Sequence, residues 1–297
     1  MGAAIVVAIA AVVPAQAQDL EPRAYANAPV GVNFLIVGYG YSQGSVVFDP
    51  SSPIKDAAAK VHSAVLAYVR SLDLWGRPGK FDIVLPYAWG SGTAKIAGQP
   101  SEREVSGPVD PRFRLSVLVY GAPALSLAEF TDYQPDLIVG ASLTVTAPLG
   151  QYDSTKVVNI GTNRWSVKPE LGVSKTLGPW TLELITGVTF YTKNDDFLGG
   201  KTLERDPLYS VQGHLIHHFG SGVWAALNGT YYAGGRPMID GEKGGRHENV
   251  RLGVTVSIPI DRRNSLKLYG STGAYSRAGS DFDTVGISWQ HNWGGGR

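Results

Sequence analysis

Val250-Arg251-Leu252-Gly253-Val254-Thr255-Val256-Ser257-Ile258-Pro259-Ile260 places an aliphatic side chain at every even position and a small, polar or charged one, or proline, at every odd position. A period of two belongs to an extended strand, whose successive side chains point to opposite faces. The pattern recurs. Val285, Ile287, Trp289, His291 and Trp293 oppose Gly286, Ser288, Gln290 and Asn292. Trp180, Leu182, Leu184, Val188 and Phe190 oppose Thr181, Glu183, Gly187 and Thr189. Leu137, Val139, Ala141, Leu143 and Val145 oppose Gly140, Ser142, Thr144 and Thr146, and Phe113, Leu115, Val117 and Val119 oppose Arg112, Arg114, Ser116 and Tyr120. A soluble two-sheet sandwich also alternates, with its polar face in bulk water. Here the polar faces are rich in Gly, Ser and Thr with sparse charges of both signs, the combination expected of a lipid-facing band around a wet lumen. The reading is an all-β, closed antiparallel transmembrane β-barrel of about twelve strands, within a range of about ten to fourteen.

Strands are predicted near 30–41, 58–73, 80–89, 110–121, 135–147, 165–176, 180–192, 207–218, 223–233, 249–260, 265–274 and 283–293. Their connections alternate in length. Those at 42–57, 90–109, 148–164, 193–206 and 234–248 are long, while 75–79, 177–179, 219–222 and 261–264 are short. Short turns on one side and long loops on the other are the habit of outer-membrane barrels. Two connections break the rule: 122–134 is long for a turn, and 275–282 is short for a loop. The loop 148–165 either folds inward to shape a pore or lies on the surface, tied down by Trp165, the second reading being preferred.

Trp75, Trp89, Trp165, Trp180, Trp224 and Trp293 sit at or beside predicted strand ends, and Trp289 lies inside a strand. An apolar ring with a polar N–H prefers the membrane–water interface, so these six are expected to anchor the barrel there. The strand ending at Trp293 has the terminal aromatic character that barrel-assembly machinery recognises.

Glycine fills 37 of 297 positions, well above the usual ~7%. Cysteine is absent, which excludes a disulfide scaffold, a cysteine-ligated metal site and a thiol nucleophile. A formal charge of +1 argues against a nucleic-acid partner. Apolar residues 3–13, followed by Pro14 and Ala15-Gln16-Ala17, read as a signal peptide over 1–17 cleaved after Ala17. The remaining chain divides into a periplasmic N-terminal segment at 18–29, a barrel at 30–293 and a tail at 294–297.

Arg112, Arg114, Lys168, Glu170, Glu183, Arg251 and Lys267 fall on predicted inward faces, as does His214. Charge turned to lipid at mid-depth would cost ~2–4 kcal/mol. These side chains either knit the wall through ion pairs or form a polar constriction that selects solutes. His214 and His218 share a face about 13 Å apart at ~3.3 Å per residue, too far to share a metal, and His217 points the other way. Ser221 in Gly220-Ser221-Gly222 reads as a tight turn, and no glycine pair follows a buried strand into a helix as a phosphate loop would. No catalytic centre, metal or cofactor is expected.

The chain also resembles a known family. The resemblance is carried by Asn27-Ala28-Pro29-Val30-Gly31-Val32-Asn33-Phe34, Gly38-Tyr39-Gly40-Tyr41-Ser42-Gln43-Gly44, Asp110-Pro111-Arg112-Phe113-Arg114-Leu115, Pro148-Leu149-Gly150-Gln151-Tyr152 and Asn159-Ile160-Gly161-Thr162-Asn163-Arg164-Trp165. The family is described as "putative meta-pathway of phenol degradation", transporter-like outer-membrane proteins. The resemblance implies a barrel that passes small hydrophobic or aromatic compounds, and it supplies no site residues. The expectation is an exported, non-enzymatic channel in a Gram-negative outer membrane, working by passive diffusion. Its partners would be outer-membrane lipid, the assembly machinery and a small aromatic solute. The alternatives are a structural or adhesive barrel with a blocked lumen, and an outer-membrane esterase or acyltransferase.

Overall fold

The computed structural model describes residues 21–47, 54–96, 99–156, 158–276 and 279–295. The expected signal peptide, residues 18–20 of the N-terminal segment and the end of the tail lie outside them. In chain order the strands are β1 (Val32–Val47), β2 (Ile54–Leu74), β3 (Arg77–Ile96), β4 (Gln99–Pro108), β5 (Arg112–Tyr120), β6 (Leu137–Thr146), β7 (Ser166–Leu177), β8 (Trp180–Tyr191), β9 (Asn194–Phe197), β10 (Lys201–Arg205), β11 (Leu208–His218), β12 (Trp224–Gly234), β13 (Pro237–Ile239), β14 (Glu242–Lys243), β15 (His247–Pro259), β16 (Asn264–Ser276) and β17 (Gly279–Gly294).

All pairings are antiparallel, and the last wall strand closes on the first, from Val32 opposite Gly294 to Val47 opposite Gly279. β4 and β5 both pair with β3, at Tyr87–Ile96 and Gly79–Val84 respectively, so they are two lengths of one wall strand. The break is Pro108-Val109-Asp110-Pro111, where each proline lacks an N–H for the ladder. The ring therefore has 12 wall strands. β9, β10, β13 and β14 form a separate small sheet from the connections that follow β8 and β12, around Phe197, Leu203 and Ile239. No helix among the described residues is long and apolar enough to cross a membrane.

Exposure is inverted relative to a soluble protein. Leu184, Leu227, Leu252, Val254 and Val285 are exposed, while Ser142, Glu183, Gln212, Thr230, Arg251 and Thr255 are buried. Large aliphatic side chains fully in contact with water would forfeit the burial energy that normally drives folding. Around a closed ring the same arrangement suits hydrocarbon, where only helices and closed barrels leave no backbone group unpaired.

Two long loops expected at 42–57 and 90–109 are largely strand instead. β2 has 21 residues and β3 has 20, against the ~9–11 needed to cross a bilayer. The register row Tyr41, His62 and Trp89 marks the change. Beyond it the outward positions become Gln43, Lys60, Ser91 and Glu104. The ladder continues into water, where the outward face needs no apolar residues, so the hydrophobic period fades while the strand persists. The short connection at 275–282 is likewise mostly strand, because β16 runs to Ser276 and β17 starts at Gly279.

V254R should lower stability in lipid by ~2–4 kcal/mol, as expected for arginine near mid-depth on the lipid side. Urea titration of the heat-modifiable gel band measures it; no loss would contradict outward placement of Val254.

Candidate solute pathway

All eight residues expected to line the lumen occupy inward positions. On β5, Arg112 and Arg114 alternate with outward Phe113 and Leu115, in phase with buried Ser116. Lys168 and Glu170 on β7 form an ion pair of 2.7 Å. Glu183 on β8 is buried. On the opposite wall, His214 Nδ1 lies 2.8 Å from Asn228 Oδ1, and Asn228 Nδ2 donates to Thr255 Oγ1 at 3.0 Å. Arg251 donates to Ser271 Oγ at 2.8 Å. Lys267 is level with inward Ser257 and Ser288. Sequence reading passed over Lys80 and Asp82, although their two-residue spacing on β3 carried the same signal. It also passed over Gln212 and Thr230, whose Oε1 and Oγ1 are buried without a protein partner, as is Arg251 Nε.

Residues 21–31 run inside the near-terminus end of the barrel. Arg23 N donates to Glu183 Oε2 at 2.6 Å, and Lys80 Nζ donates to Ala24 O at 2.6 Å. Arg114 pairs with Glu21 at 3.1 Å. Tyr25, 1% exposed, places its hydroxyl 3.1 Å from Ser142 Oγ. Its ring fills a pit formed by Gly140 and Gly172, which face each other across β6 and β7. A Cβ on either glycine would come within 2.2 and 2.1 Å of ring carbons. The segment is held because its backbone and Glu21 bond to charged groups of the wall, each such hydrogen bond contributing ~1.5–3 kcal/mol. It also accounts for the long connection at 122–134: Val30 N donates to Leu125 O at 2.8 Å, and Asn27 Nδ2 to Pro123 O at 3.1 Å.

The inner wall has two characters. Over β1–β3 the inward positions include Phe34, Ile36, Val65, Val69 and Val84. Across the lumen, β11, β12 and β15 present Gln212, Thr230 and Arg251 as one register row. A cavity beside the N-terminal segment is lined mostly by polar and charged groups, Glu21, Asp82, Arg112, Arg114, Glu170 and Gln212, with Val84 and Ile185 among its apolar contacts. At the far mouth, loop 147–165 is knitted to the wall rather than only tied by Trp165. Asp110 Oδ1 accepts from Gly150 N at 2.8 Å, and Oδ2 accepts from Thr162 N at 2.8 Å and Thr162 Oγ1 at 2.6 Å.

Four of these six tryptophans, Trp89, Trp165, Trp180 and Trp293, face outward, and Trp75 stands exposed in the turn between β2 and β3. Trp75 (97% exposed), Trp180 and Trp293 lie at the near-terminus end, and Trp89 and Trp165 at the other. Trp224 is a correction: it is 8% exposed, turned inward beside Ile216 and Ala226, with the Arg23 guanidinium 5.4 Å over its ring. It shares inward parity with Ala226, Asn228 and Thr230, and the N-terminal segment gives it a partner that the sequence pattern does not show. His217 faces outward against Trp180 at 4.3 Å, and inward His218 lies 3.2 Å from Thr181 Oγ1. Gly40-Tyr41-Ser42-Gln43-Gly44 has the spacing of a serine-hydrolase elbow. It lies within the regular ladder of β1, with Ser42 Oγ 2.9 Å from Thr284 Oγ1, and lacks the strand–turn–helix that exposes such a nucleophile.

The sequence profile of the family described as "Putative MetA-pathway of phenol degradation" matches residues 39–289. The chain belongs to that family. Among solved structures, the COG4313 outer membrane channel from Pseudomonas putida F1 is 22% identical, with a TM-score of 0.78 over 93% of this chain and 100% of that one. The transport unit of the autotransporter AIDA-I from Escherichia coli is 10% identical, with a TM-score of 0.51 over 95% of each chain. The β domain of the Bordetella autotransporter BrkA is 11% identical, with a TM-score of 0.50 over 89% of this chain and 100% of that one. At these identities the likeness concerns the fold. No curated protein matches the chain.

G172V should expel the Tyr25 ring while leaving the wall closed. Trypsin should then cut at Arg23 at least tenfold faster than in the unaltered chain, with the heat-shifted band retained. Unchanged cleavage would contradict the glycine pit. D110A should free loop 147–165 at ~1–3 kcal/mol, read as faster cleavage at Lys156 and a lower unfolding midpoint.

Proposed function

We propose that this family member is an outer-membrane channel that passes small aromatic or otherwise apolar solutes by diffusion through the barrel. The observation that carries the reading is the divided inner wall, an apolar stripe of Phe34, Ile36, Val65 and Val69 on β1 and β2, bordered by Asp82 on β3, and the polar row Gln212, Thr230 and Arg251 across the lumen. A solute with an apolar ring and one polar substituent matches both sides; a sugar matches only one. The inward charges Arg112, Arg114, Lys168, Glu170, Glu183, Arg251 and Lys267, with His214, form the polar filter. Trp75, Trp180 and Trp293 sit at the inner interface, and Trp89 and Trp165 at the outer one. Export by the signal peptide and insertion by the assembly machinery complete the reading.

One observation favours a second reading, a structural barrel with a blocked lumen: residues 21–31 cross the near-terminus end on several anchors. Planar-bilayer recording separates the two. The channel reading predicts discrete conductance steps for the intact mature chain, and steps several-fold larger when residues 18–29 are deleted. In vesicles with lipopolysaccharide in the outer leaflet, a labelled phenol should enter several-fold faster than without protein, while raffinose stays outside. A barrel silent both with and without residues 18–29 would favour the structural reading.

A further inference from the structure

We propose that Arg164 and Arg205 form an anion site at the far mouth of the lumen, one that takes the carboxylate of a small aromatic acid. The aromatic part of this assignment rests on the transport reading; the anion part stands on geometry. Both guanidinium groups lie over one ring: Arg164 Cζ is 4.8 Å and Arg205 Cζ 5.3 Å from the centroid of Tyr191. Three mouth elements meet there. Arg164 ends loop 147–165, Tyr191 ends β8 at an inward position opposite Ser166, and Arg205 ends β10 of the small sheet.

Arg164 is 6% exposed, and its Nε and Nη1 are buried with no hydrogen-bond partner. Among the described residues neither arginine makes an ion pair; Arg205 Nε donates to Gly235 O at 2.8 Å. The carboxylate that Arg164 feels is Asp110, whose oxygens are already taken by Gly150 N, Thr162 N and Thr162 Oγ1. Burial, reinforced by the charge of Arg205, pushes the Arg164 guanidinium down to about 10, so it remains cationic at neutral pH. Two cations against one ring repel each other, and the ring quadrupole offsets that only in part. Arginine donors are suited to planar carboxylates, and an anion here would answer both the unpaired donors and the repulsion. Placed on the water side of the lumen, the site would concentrate acids at the entrance.

The purified full-length barrel in detergent micelles is titrated calorimetrically with benzoate, benzyl alcohol and inorganic phosphate. Benzoate should bind at least tenfold more tightly than either of the others, and R164Q and R205Q should each weaken it at least tenfold with the heat-shifted band unchanged. Equal binding of benzyl alcohol overturns the anion site, and equal binding of phosphate overturns the aromatic-acid assignment. Unaltered benzoate affinity in both variants also overturns it. Should a variant fail to fold, the three-probe comparison on the unaltered chain decides alone. A barrel that conducts ions but ignores benzoate sinks this inference and leaves the channel reading standing. One that binds benzoate but never conducts does the reverse.

Discussion

The hydrogen bonds that seal β17 to β1 govern everything else in the molecule. In hydrocarbon an unpaired backbone N–H or C=O finds no water, so a sheet can enter a bilayer only if it has no edge. Closure with every pairing antiparallel requires an even strand count, puts the ends of the first and last strands on one side and turns alternate residues to lipid. It also inverts the usual distribution of polarity, with leucine outside and glutamate inside. Where the wall rises beyond its outer aromatic row, closure is no longer demanded. There β3 and β4 continue as a paired extension, and loop 147–165 docks through Asp110.

Sealing the wall creates a second problem, an interior lined with charges. The N-terminal segment addresses it at one end, giving Glu183, Lys80 and Arg114 partners while the glycine pit seats Tyr25. The small sheet and loop 147–165 shape the other end, where Arg164 and Arg205 make no ion pair among the described residues. Between them the inward face is apolar at Phe34, Ile36, Val65 and Val69 and polar at Gln212, Thr230 and Arg251. The chemistry that keeps the barrel in lipid and the chemistry that meets a solute therefore occupy opposite faces of the same strands.

Much of this was legible in the sequence because a barrel strand writes its environment at period two. β15 and β17 show both faces plainly, since lipid lies on one side and polar lumen on the other. β1 and β2 were fainter for a physical reason: Phe34, Ile36, Val65 and Val69 make the inward face apolar too, so alternation loses contrast. Trp224 was misplaced because position at a strand end does not specify the face. The docking of the N-terminal segment inside the barrel leaves no mark in the sequence because irregular backbone has no period; Tyr25 can be linked to Gly140 and Gly172 only once the strands are in register. Arg164 and Arg205, 41 residues apart, meet only through the fold of two loops.

The absence of cysteine allows the most direct test of the central claim, that aliphatic stripes contact lipid and polar stripes border a wet interior. Single cysteines are placed in turn at positions 250–260 of the barrel reconstituted in vesicles, and each is probed twice. A charged thiol reagent reports water, and quenching of an attached fluorophore by brominated lipid reports hydrocarbon. The account predicts a strict two-residue alternation, with 252, 254, 256 and 258 quenched by lipid and 251, 253, 255 and 257 reached by the charged reagent. Even positions shielded from both probes would mean a dry core between stacked sheets, and would contradict it.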